Sequence, residues 1–366
     1  MLTIIQQPPI ISLQGSPFLC KLTSNDFDLP NFKVLAEPLP GQFDILPLNQ
    51  ADEVTFDLSE YFDPKLKVEL KTDAQFLHAN ACLQFEIKFS EFYGNPPMAH
   101  NMITMAKTVL KGRIPRWQQR FFNKSFTGLS QRLAANFFLS WYPSQPKRVL
   151  PDQPELMYFL SPGSANYQLL VDVLFTDGSL IENYDPGYNL PVQLFQVASF
   201  PVGYQKLNLA ALQPLKKVKS YKVKIKNTAF FREYEVDFFP YRDVRFLVFR
   251  SSLSGYDTLA CTGEADHQTN IEKLTNESLF DPEHPLRLNK RVQSTEETET
   301  VKINSGWLKA NEKLWLNDLV ISDDVYEFFD GIICPVMIKN TTLDTSERIY
   351  EPGSVEIEYE RLYQKQ

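Results

Sequence analysis

A run of apolar positions stands out at residues 242–264, RDVRFLVFRSSLSGYDTLACTGE. Phe246 to Phe249 are four consecutive apolar residues, a pattern typical of a short strand that is buried on both faces. Residues 251–255 supply a turn in which Gly255 is free to adopt a positive φ, and residues 256–262 follow as the return strand. We therefore predict a hairpin in the middle of a sheet, with further strands on both sides.

Alternation of apolar and polar positions marks other strands along the chain. It occurs at residues 83–89, 169–175, 221–225, 234–238 and 355–359, and a period of two is typical of a strand with one buried face. The 28 Phe and 16 Tyr also favour strands over helices. The chain is therefore predicted to be mainly β and to consist of β-sandwich-like units.

Three segments depart from this alternation. MITMAKTVLKG, residues 102–112, indicates a short helix, and LKANEKLWLNDLV indicates a second helix near 308–321, with its apolar residues on one broad face. Residues 265–300 are rich in Asn, Glu and Thr and contain few apolar residues for their length. They are predicted to form a long surface loop or a mobile arm that becomes ordered against a neighbour.

These boundaries divide the chain into four predicted regions. The length of 366 residues favours two or three domains. We predict an N-terminal β domain at 1–97, a helical and basic linker or insertion at 98–127, a second β domain at 128–226, and a third β-rich domain at 227–366. The fold class is mainly β and multi-domain, with one short helical insertion and one helix in the C-terminal region.

The net charge of −8 narrows the choice of partners. A general nucleic-acid binder usually shows a basic footprint, so direct binding of nucleic acid is not expected. The most basic segment, within 98–127, interleaves cations with aromatic residues, but packing on a neighbouring domain explains it better. No apolar run is long enough for a membrane helix, and the N-terminus lacks the basic and small-residue pattern of a secretory signal.

Residues able to carry out chemistry are scattered. The four His and four Cys show no metal-ligand spacing, and no GxSxG, P-loop or GxGxxG motif occurs. Ser254-Gly255 fits a turn better than a nucleophile because a catalytic Ser needs a placed base. The four Cys are interpreted as buried thiols, not as a disulfide framework. We expect no enzymatic activity, no cofactor and no metal site; a Ca²⁺ ion in the acidic 265–300 stretch is the alternative considered.

The central hairpin also resembles a known family signature. FLVFRSSLSGYDTLACTGE, residues 246–264, is similar to a FRNSLGGYDT…TGE signature in proteins encoded by phages and prophages of Bacteroidetes-type bacteria, with Ser251 or Ser252 in place of the usual Asn. The resemblance extends over most of the chain through TIIQQPPIISLQGSPF, FDLSEYF, FYGNPP and SGWLKANEKLWLNDLVISDDVYEFF. It implies a virion structural protein of the tail or baseplate, or of a phage-like particle.

The expected function is therefore assembly. The protein is predicted to be a non-enzymatic subunit that contacts other copies of itself and other virion or tail proteins, located in the virion after assembly in the host bacterial cytoplasm. The alternative is a carbohydrate- or surface-binding β-sandwich protein, for which exposed aromatic residues on a concave face would be the sign. The candidates are Trp117, Trp141, Trp307 and Trp315.

Two charged ladders are candidate interface residues. Period-two spacing places Lys222, Lys224 and Lys226 on one strand face, and Glu356, Glu358 and Glu360 on another. Solvated faces or pairing within one subunit explain them equally well. In a repeating assembly, the Lys face of one subunit would meet the Glu face of the next.

Overall fold

A computed structural model shows a mainly-β chain with several sheets and only short helices among its described residues, which confirms the predicted fold class. The structure describes residues 1–47, 53–62, 65–115, 118, 132–133, 136–143, 145–277, 290–329, 331–340 and 353–362. The chain divides into two compact units. The first comprises Met1–Phe238 with Arg250–Asp257, and the second comprises Phe239–Phe249 with Thr258–Gln366.

The N-terminal part of the first unit contains nine strands and one short 3₁₀ turn, Ser59–Tyr61. The strands are β1 Leu2–Gln6, β2 Ile11–Leu13, β3 Leu19–Ser24, β4 Lys33–Leu39, β5 Gln42–Leu46, β6 Glu53–Asp57, β7 Phe76–His78, β8 Cys82–Gly94 and β9 Pro97–Leu110. They form a β1-β3-β6 sheet and a β2-β9-β8-β4-β5 sheet, while β7 joins a third. The alternating apolar residues of both sheets, among them Cys20, Phe56 and Phe89, share one core.

The described residues in the rest of the first unit include eight strands and a short helix. They are β10 Lys147–Val149, β11 Leu156–Leu160, β12 Ala165–Phe175, β13 Leu180–Tyr184, β14 Asn189–Val192, β15 Val197–Pro201, α1 Leu209–Leu212, β16 Val218–Ile225 and β17 Phe231–Val236. The sheet orders are β10-β17-β16-β12-β13, with β14 also on β12, and β11-β15-β7. Inward-facing residues of both sheets, such as Phe159, Val171 and Tyr221, form a second core.

The second unit is organised around one seven-stranded sheet, with the order β19-β18-β22-β23-β24-β21-β20. Its elements are β18 Arg245–Arg250, β19 Tyr256–Cys261, β20 Ala265–Glu277, β21 Lys290–Asn304, α2 Ala310–Trp315, α3 Asn317–Ile321, β22 Val325–Phe329, β23 Ile332–Ile338 and β24 Glu356–Arg361. The helix predicted near 308–321 is confirmed as two short helices. Trp315 of α2 packs on Phe249 with ring centroids 5.2 Å apart.

The hairpin predicted at 242–264 is present, but its position in the sheet differs from the prediction. Phe246 to Phe249 are buried, as the apolar run indicated. The prediction that the hairpin lies in the middle of the sheet is wrong, because β19 is an end strand in the order of the described strands. In the strand order, β18 and β20 lie near opposite ends of the sheet. Because an Arg245 guanidinium nitrogen on β18 nevertheless lies 2.9 Å from His267 Nε2 on β20, the sheet is curved.

The helix predicted at 102–112 is also wrong. These residues belong to β9, which pairs with β8 from Cys82↔Leu110 to Gly94↔Pro97. Ile103, Met105 and Val109 recur at even spacing and pack into the N-terminal core, so a period of two prevails over the local helix preference of Met, Ala and Lys. The rest of the predicted 98–127 insertion falls mostly outside the described residues.

The surface loop predicted at 265–300 is replaced by two long strands, β20 and β21. They pair in antiparallel register from Ala265↔Ile303 to Glu277↔Lys290. The β-branched residues of this stretch, mainly Thr with Ile and Val, favour extended backbone, and cross-strand pairing satisfies the polar main chain. Low apolar content therefore indicated exposure correctly, but not the absence of regular structure.

Candidate assembly surfaces

The β20–β21 hairpin extends beyond the sheet to which it belongs. The neighbouring strand β24 pairs with β21 only from Thr300↔Glu360 to Asn304↔Glu356. At residues 290–299 of β21, which precede Thr300, the described residues of β21 pair only with β20. We call this two-stranded segment, residues 269–277 and 290–299, the arm.

The arm exposes large apolar side chains on both of its faces. Ile271 is 58% exposed, Leu274 60% and Val292 55%. Because side chains alternate along a strand, Thr269, Ile271 and Lys273 share one face of β20, and Leu274 lies on the other. Exposed aliphatic residues on a two-stranded ribbon are typical of a segment that contacts another molecule.

A buried ionic network anchors the base of the arm in the second unit. The carboxylate of Glu327 on β22 accepts hydrogen bonds from Arg245 at 2.6 Å and from Tyr359 Oη at 2.8 Å. Arg361 on β24 donates to both oxygens of Glu327, at 2.6 and 3.0 Å. The network thus ties together β18, β22 and β24 at the end of the sheet from which the arm departs.

The same network continues onto the two strands of the arm. Arg361 donates to Glu299 on β21 at 2.8 Å, and His267 Nδ1 on β20 lies 3.2 Å from the same carboxylate oxygen. Since Arg245 can only donate, His267 Nε2 accepts from it at 2.9 Å, and Nδ1 is then the nitrogen that donates to Glu299. His267, two residues before the arm, and Glu299, the last residue of the arm, are therefore held on fixed partners.

The protonation of Glu327 follows from these contacts. Burial acts to raise the pKa of its carboxyl, but the hydrogen bonds from Arg361, Tyr359 and Arg245 outweigh burial and hold the pKa below its ordinary value. Burial and the adjacent Glu327 carboxylate raise the pKa of the Tyr359 phenol. Glu327 is therefore an anion at neutral pH, and Tyr359 is a neutral donor to it.

The predicted Lys ladder lies on the sheet of the first unit, where each member has a partner in the same chain. Lys222 Nζ lies 3.2 Å from a Glu233 carboxylate oxygen, and Lys224 Nζ lies 2.6 Å from Asp172 Oδ1. Lys226 Nζ donates to Gln168 Oε1 at 2.8 Å. The three side chains share a face, as their spacing indicated, and local pairing within the sheet contributes to their arrangement.

The predicted Glu ladder lies on β24, in the sheet of the second unit. Glu358 is 3.4 Å from Lys302 Nζ on the adjacent β21, and Glu360 forms an ion pair with Lys339. Glu356 is exposed and faces Asn304 in the β21–β24 register. A role for either ladder between subunits remains a prediction.

A cleft of about 280 Å³ opens in the first unit beside β10 and β17. Its lining combines aromatic residues, among them Phe138, Tyr142 and Phe231, with Lys147 and Arg232. The two cations already face carboxylates, since Lys147 Nζ lies 2.6 Å from Glu155 and Arg232 lies 4.0 Å from Asp257. The cleft therefore combines aromatic rings with two cations, Lys147 and Arg232, that each have a carboxylate partner in the same chain.

The four tryptophans considered for carbohydrate binding lie in different environments. Trp141 is buried, donates from Nε1 to Ser252 Oγ at 2.7 Å and lies under Arg132. Trp315 is buried in the second unit, whereas Trp307 is 75% exposed. Trp117 lies outside the described residues. Of the three described tryptophans, only Trp307 offers an open ring to a sugar.

One Ser–His contact has the spacing of a nucleophile and its base. His78 Nε2 on β7 lies 2.9 Å from Ser199 Oγ on β15. Both residues are buried, and burial lowers the pKa of His78 to about 4. A neutral, enclosed His hydrogen-bonded across two strands serves the packing of the sheet, since no substrate reaches a hydroxyl that is 0% exposed.

Within the described residues, no group of three or more His, Cys, Asp or Glu is arranged to hold a metal ion. No helix among them is long and apolar enough to cross a membrane. Cys20, Cys82, Cys261 and Cys334 are free thiols, and burial raises the pKa of Cys20 and Cys82 to about 12.

No protein-family model matches the chain, and none of the curated proteins compared with it matches.

Sequence reasoning predicted a mobile arm or loop at 265–300 but missed the strand structure of the arm and the network at its base. Thr269, Ile271 and Thr275 are β-branched residues at even spacing and were the available sign of a strand. The network had no local sign, because its members come from five strands that meet only in the folded sheet.

Proposed function

We propose that the protein is a non-enzymatic structural subunit of a phage tail, baseplate or phage-like particle, and that it acts through assembly contacts. The observation that carries this proposal is the arm, a two-stranded ribbon with exposed aliphatic residues that is anchored by a buried ionic network. The resemblance of residues 246–264 to a phage and prophage signature gives the assembly its biological setting.

A ribbon of two strands needs a further strand or a packing surface to be stable in water. An isolated two-stranded hairpin is marginally stable in water, whereas three or more strands, or packing on another surface, give independent stability. The arm has no third strand among the described residues. Binding a partner would supply the missing strand or surface, so the arm is suited to become fully ordered during assembly.

The partners follow from this role. They are other copies of the chain and other proteins of the tail or particle, assembled in the host bacterial cytoplasm and retained in the virion. The net charge of −8 keeps unassembled subunits apart by mutual repulsion. Contacts between subunits then depend on local surfaces such as the arm.

Shortening the arm tests the proposal. Replacement of residues 271–297 by Asn-Gly closes the ribbon between Asn270 and Thr298, which face each other, and keeps His267 and Glu299 in place. We expect a folded monomer with an unchanged melting temperature, whereas the full chain forms larger species in light scattering. Self-association of the shortened chain equal to that of the full chain would refute the proposed role of the arm.

A second candidate function, binding of a carbohydrate or surface polymer, is favoured by the aromatic cleft of the first unit. Sugars stack on aromatic rings, and Phe231 is a partly exposed ring in the lining. If this function is correct, Phe231→Ala abolishes binding on a glycan array. Phe43→Ala, an exposed aromatic substitution outside the lining, leaves binding unchanged.

A further inference from the structure

Among the described strands, none pairs with the outer edge of β20 along the arm. Over the described residues, β20 pairs only with β21, so its other edge presents unpaired main-chain N–H and C=O groups. Proteins usually protect such an edge with Pro, a bulge or several charges. Residues 265–277, ADHQTNIEKLTNE, contain no Pro, and their charged residues Asp266, Glu272, Lys273 and Glu277 leave the stretch from Gln268 to Ile271 uncharged. The register shift in the arm, where Leu274↔Ser294 is followed by Thr275↔Val292, places the extra residue on β21.

From this edge we infer that the arm binds a second copy of the same chain, with β20 of one copy pairing antiparallel to β20 of the other. The inference rests on the proposed assembly role and specifies the partner of the arm. The two ribbons then form a four-stranded sheet in the order β21-β20-β20-β21, which exceeds the three strands that independent stability requires. The contact is isologous, since both copies use the same edge.

Charge and polarity select the register of this pairing. In an antiparallel pair with a two-fold axis, opposed side chains must share a face of the sheet. The sequence numbers of two opposed residues therefore differ by zero or by an even number. A pair centred on Glu272 would oppose two carboxylates, and one centred on Lys273 would oppose two ammonium groups, both unfavourable.

A pair centred on Ile271 avoids both conflicts. It places Ile271 opposite Ile271, Thr269 opposite Lys273, Asn270 opposite Glu272 and Gln268 opposite Leu274. The exposed Ile271 side chains of the two copies then cover each other. This register removes apolar surface from water without opposing like charges.

Disulfide trapping tests the register directly. Residues opposed in an antiparallel pair have Cα atoms about 4.5–5.5 Å apart, within the range that a disulfide spans. Ile271→Cys should therefore form a covalent dimer under mild oxidation. Lys273→Cys is the matched control, because its two copies would lie about 13 Å apart along the strands. A mixture of Thr269→Cys and Lys273→Cys chains should cross-link, because those residues are opposed.

Wild-type protein under the same oxidation controls for the four native thiols. As a second measurement, Ile271→Lys should weaken self-association about tenfold, because it opposes two ammonium groups. Leu274→Lys, at a similarly exposed aliphatic residue, should change it much less, because it faces Gln268.

The outcomes separate this inference from the proposed function. Cross-linking of Ile271→Cys and of the mixed pair, but not of Lys273→Cys alone, supports the pairing. If the protein self-associates through the arm but the Ile271→Cys variant does not cross-link, the pairing is refuted and the assembly role stands. If the full chain is a monomer at every concentration tested, both are refuted.

Discussion

At the scale of single residues, Gly255 of the central hairpin is needed for close packing, not for the positive φ that its turn position indicated. The sequence suggested that Gly255 supplies a positive φ, but Ser254 is the residue with φ of 82°. Gly255 is required instead for close packing, because a Cβ at this position would lie 2.2 Å from the Leu139 carbonyl oxygen and 2.9 Å from Tyr158 Cβ. A turn signal in the sequence thus reflects a contact between segments that are distant along the chain.

This contact predicts the effect of a single methyl group. Gly255→Ala should destabilise the first unit by about 1–3 kcal/mol, because the added methyl group overpacks a site bounded by backbone. Gly163→Ala is the control, since a Cβ there meets nothing within 4 Å and its φ is not positive. Equal melting temperatures for both variants would contradict the packing explanation.

His78 gives the first unit a predicted pH dependence. Its pKa is lowered from 6.5 to about 4, chiefly by burial, with the nearby Glu69 carboxylate opposing the shift and Lys71 adding to it. The unfolded chain therefore binds a proton near pH 6.5, before the folded chain does. Stability from this group is complete above pH 6.5 and falls by about 3 kcal/mol as the pH decreases to about 4.

Denaturant titrations between pH 7 and 4 measure this loss. His78→Gln should remove the loss of about 3 kcal/mol in the free energy of unfolding that we assign to His78 between pH 6.5 and 4. His100→Gln, which replaces a partly exposed His stacked on Tyr93, is the control and should retain it. An identical pH profile for His78→Gln and the wild type would show that His78 is not the group responsible.

At the scale of secondary-structure elements, the buried network fixes where the arm begins. Glu327→Gln should destabilise the second unit by about 3 kcal/mol, because Arg245 and Arg361 remain buried beside an uncharged amide. Glu358→Gln, which loses a more exposed ion pair with Lys302, should cost less than about 1 kcal/mol. Similar unfolding midpoints for the two variants in urea would contradict an anchoring role for Glu327.

The sequence predicted those strands and helices whose apolar pattern lies within the element itself, and it failed where pairing with a distant strand decides the structure. The strands around Ile87, Val171 and Ile357 follow from alternation, and the helices near Trp315 follow from one apolar face. The 102–112 segment was mistaken for a helix because Met, Ala and Lys favour helices locally, whereas pairing with β8 decides its structure. The anchoring network depends on the strand order of a curved sheet, which no short segment of sequence contains.

At the scale of the whole molecule, the chain divides into two compact units, and the arm extends beyond the paired part of the sheet of the second unit. A segment that lies outside both cores, yet is anchored by charged side chains, is available for contacts between molecules. The central claim is therefore that the arm is the element through which subunits assemble.

Hydrogen exchange of the arm amides, measured at low and high protein concentration, tests this claim most directly. In the monomer, we expect rapid exchange over residues 269–277, where the outer edge of β20 is open. At concentrations that produce larger species, exchange over these residues should slow by about tenfold or more, while the buried amides of β18 stay unchanged. Formation of larger species with no added protection at 269–277 would contradict the account.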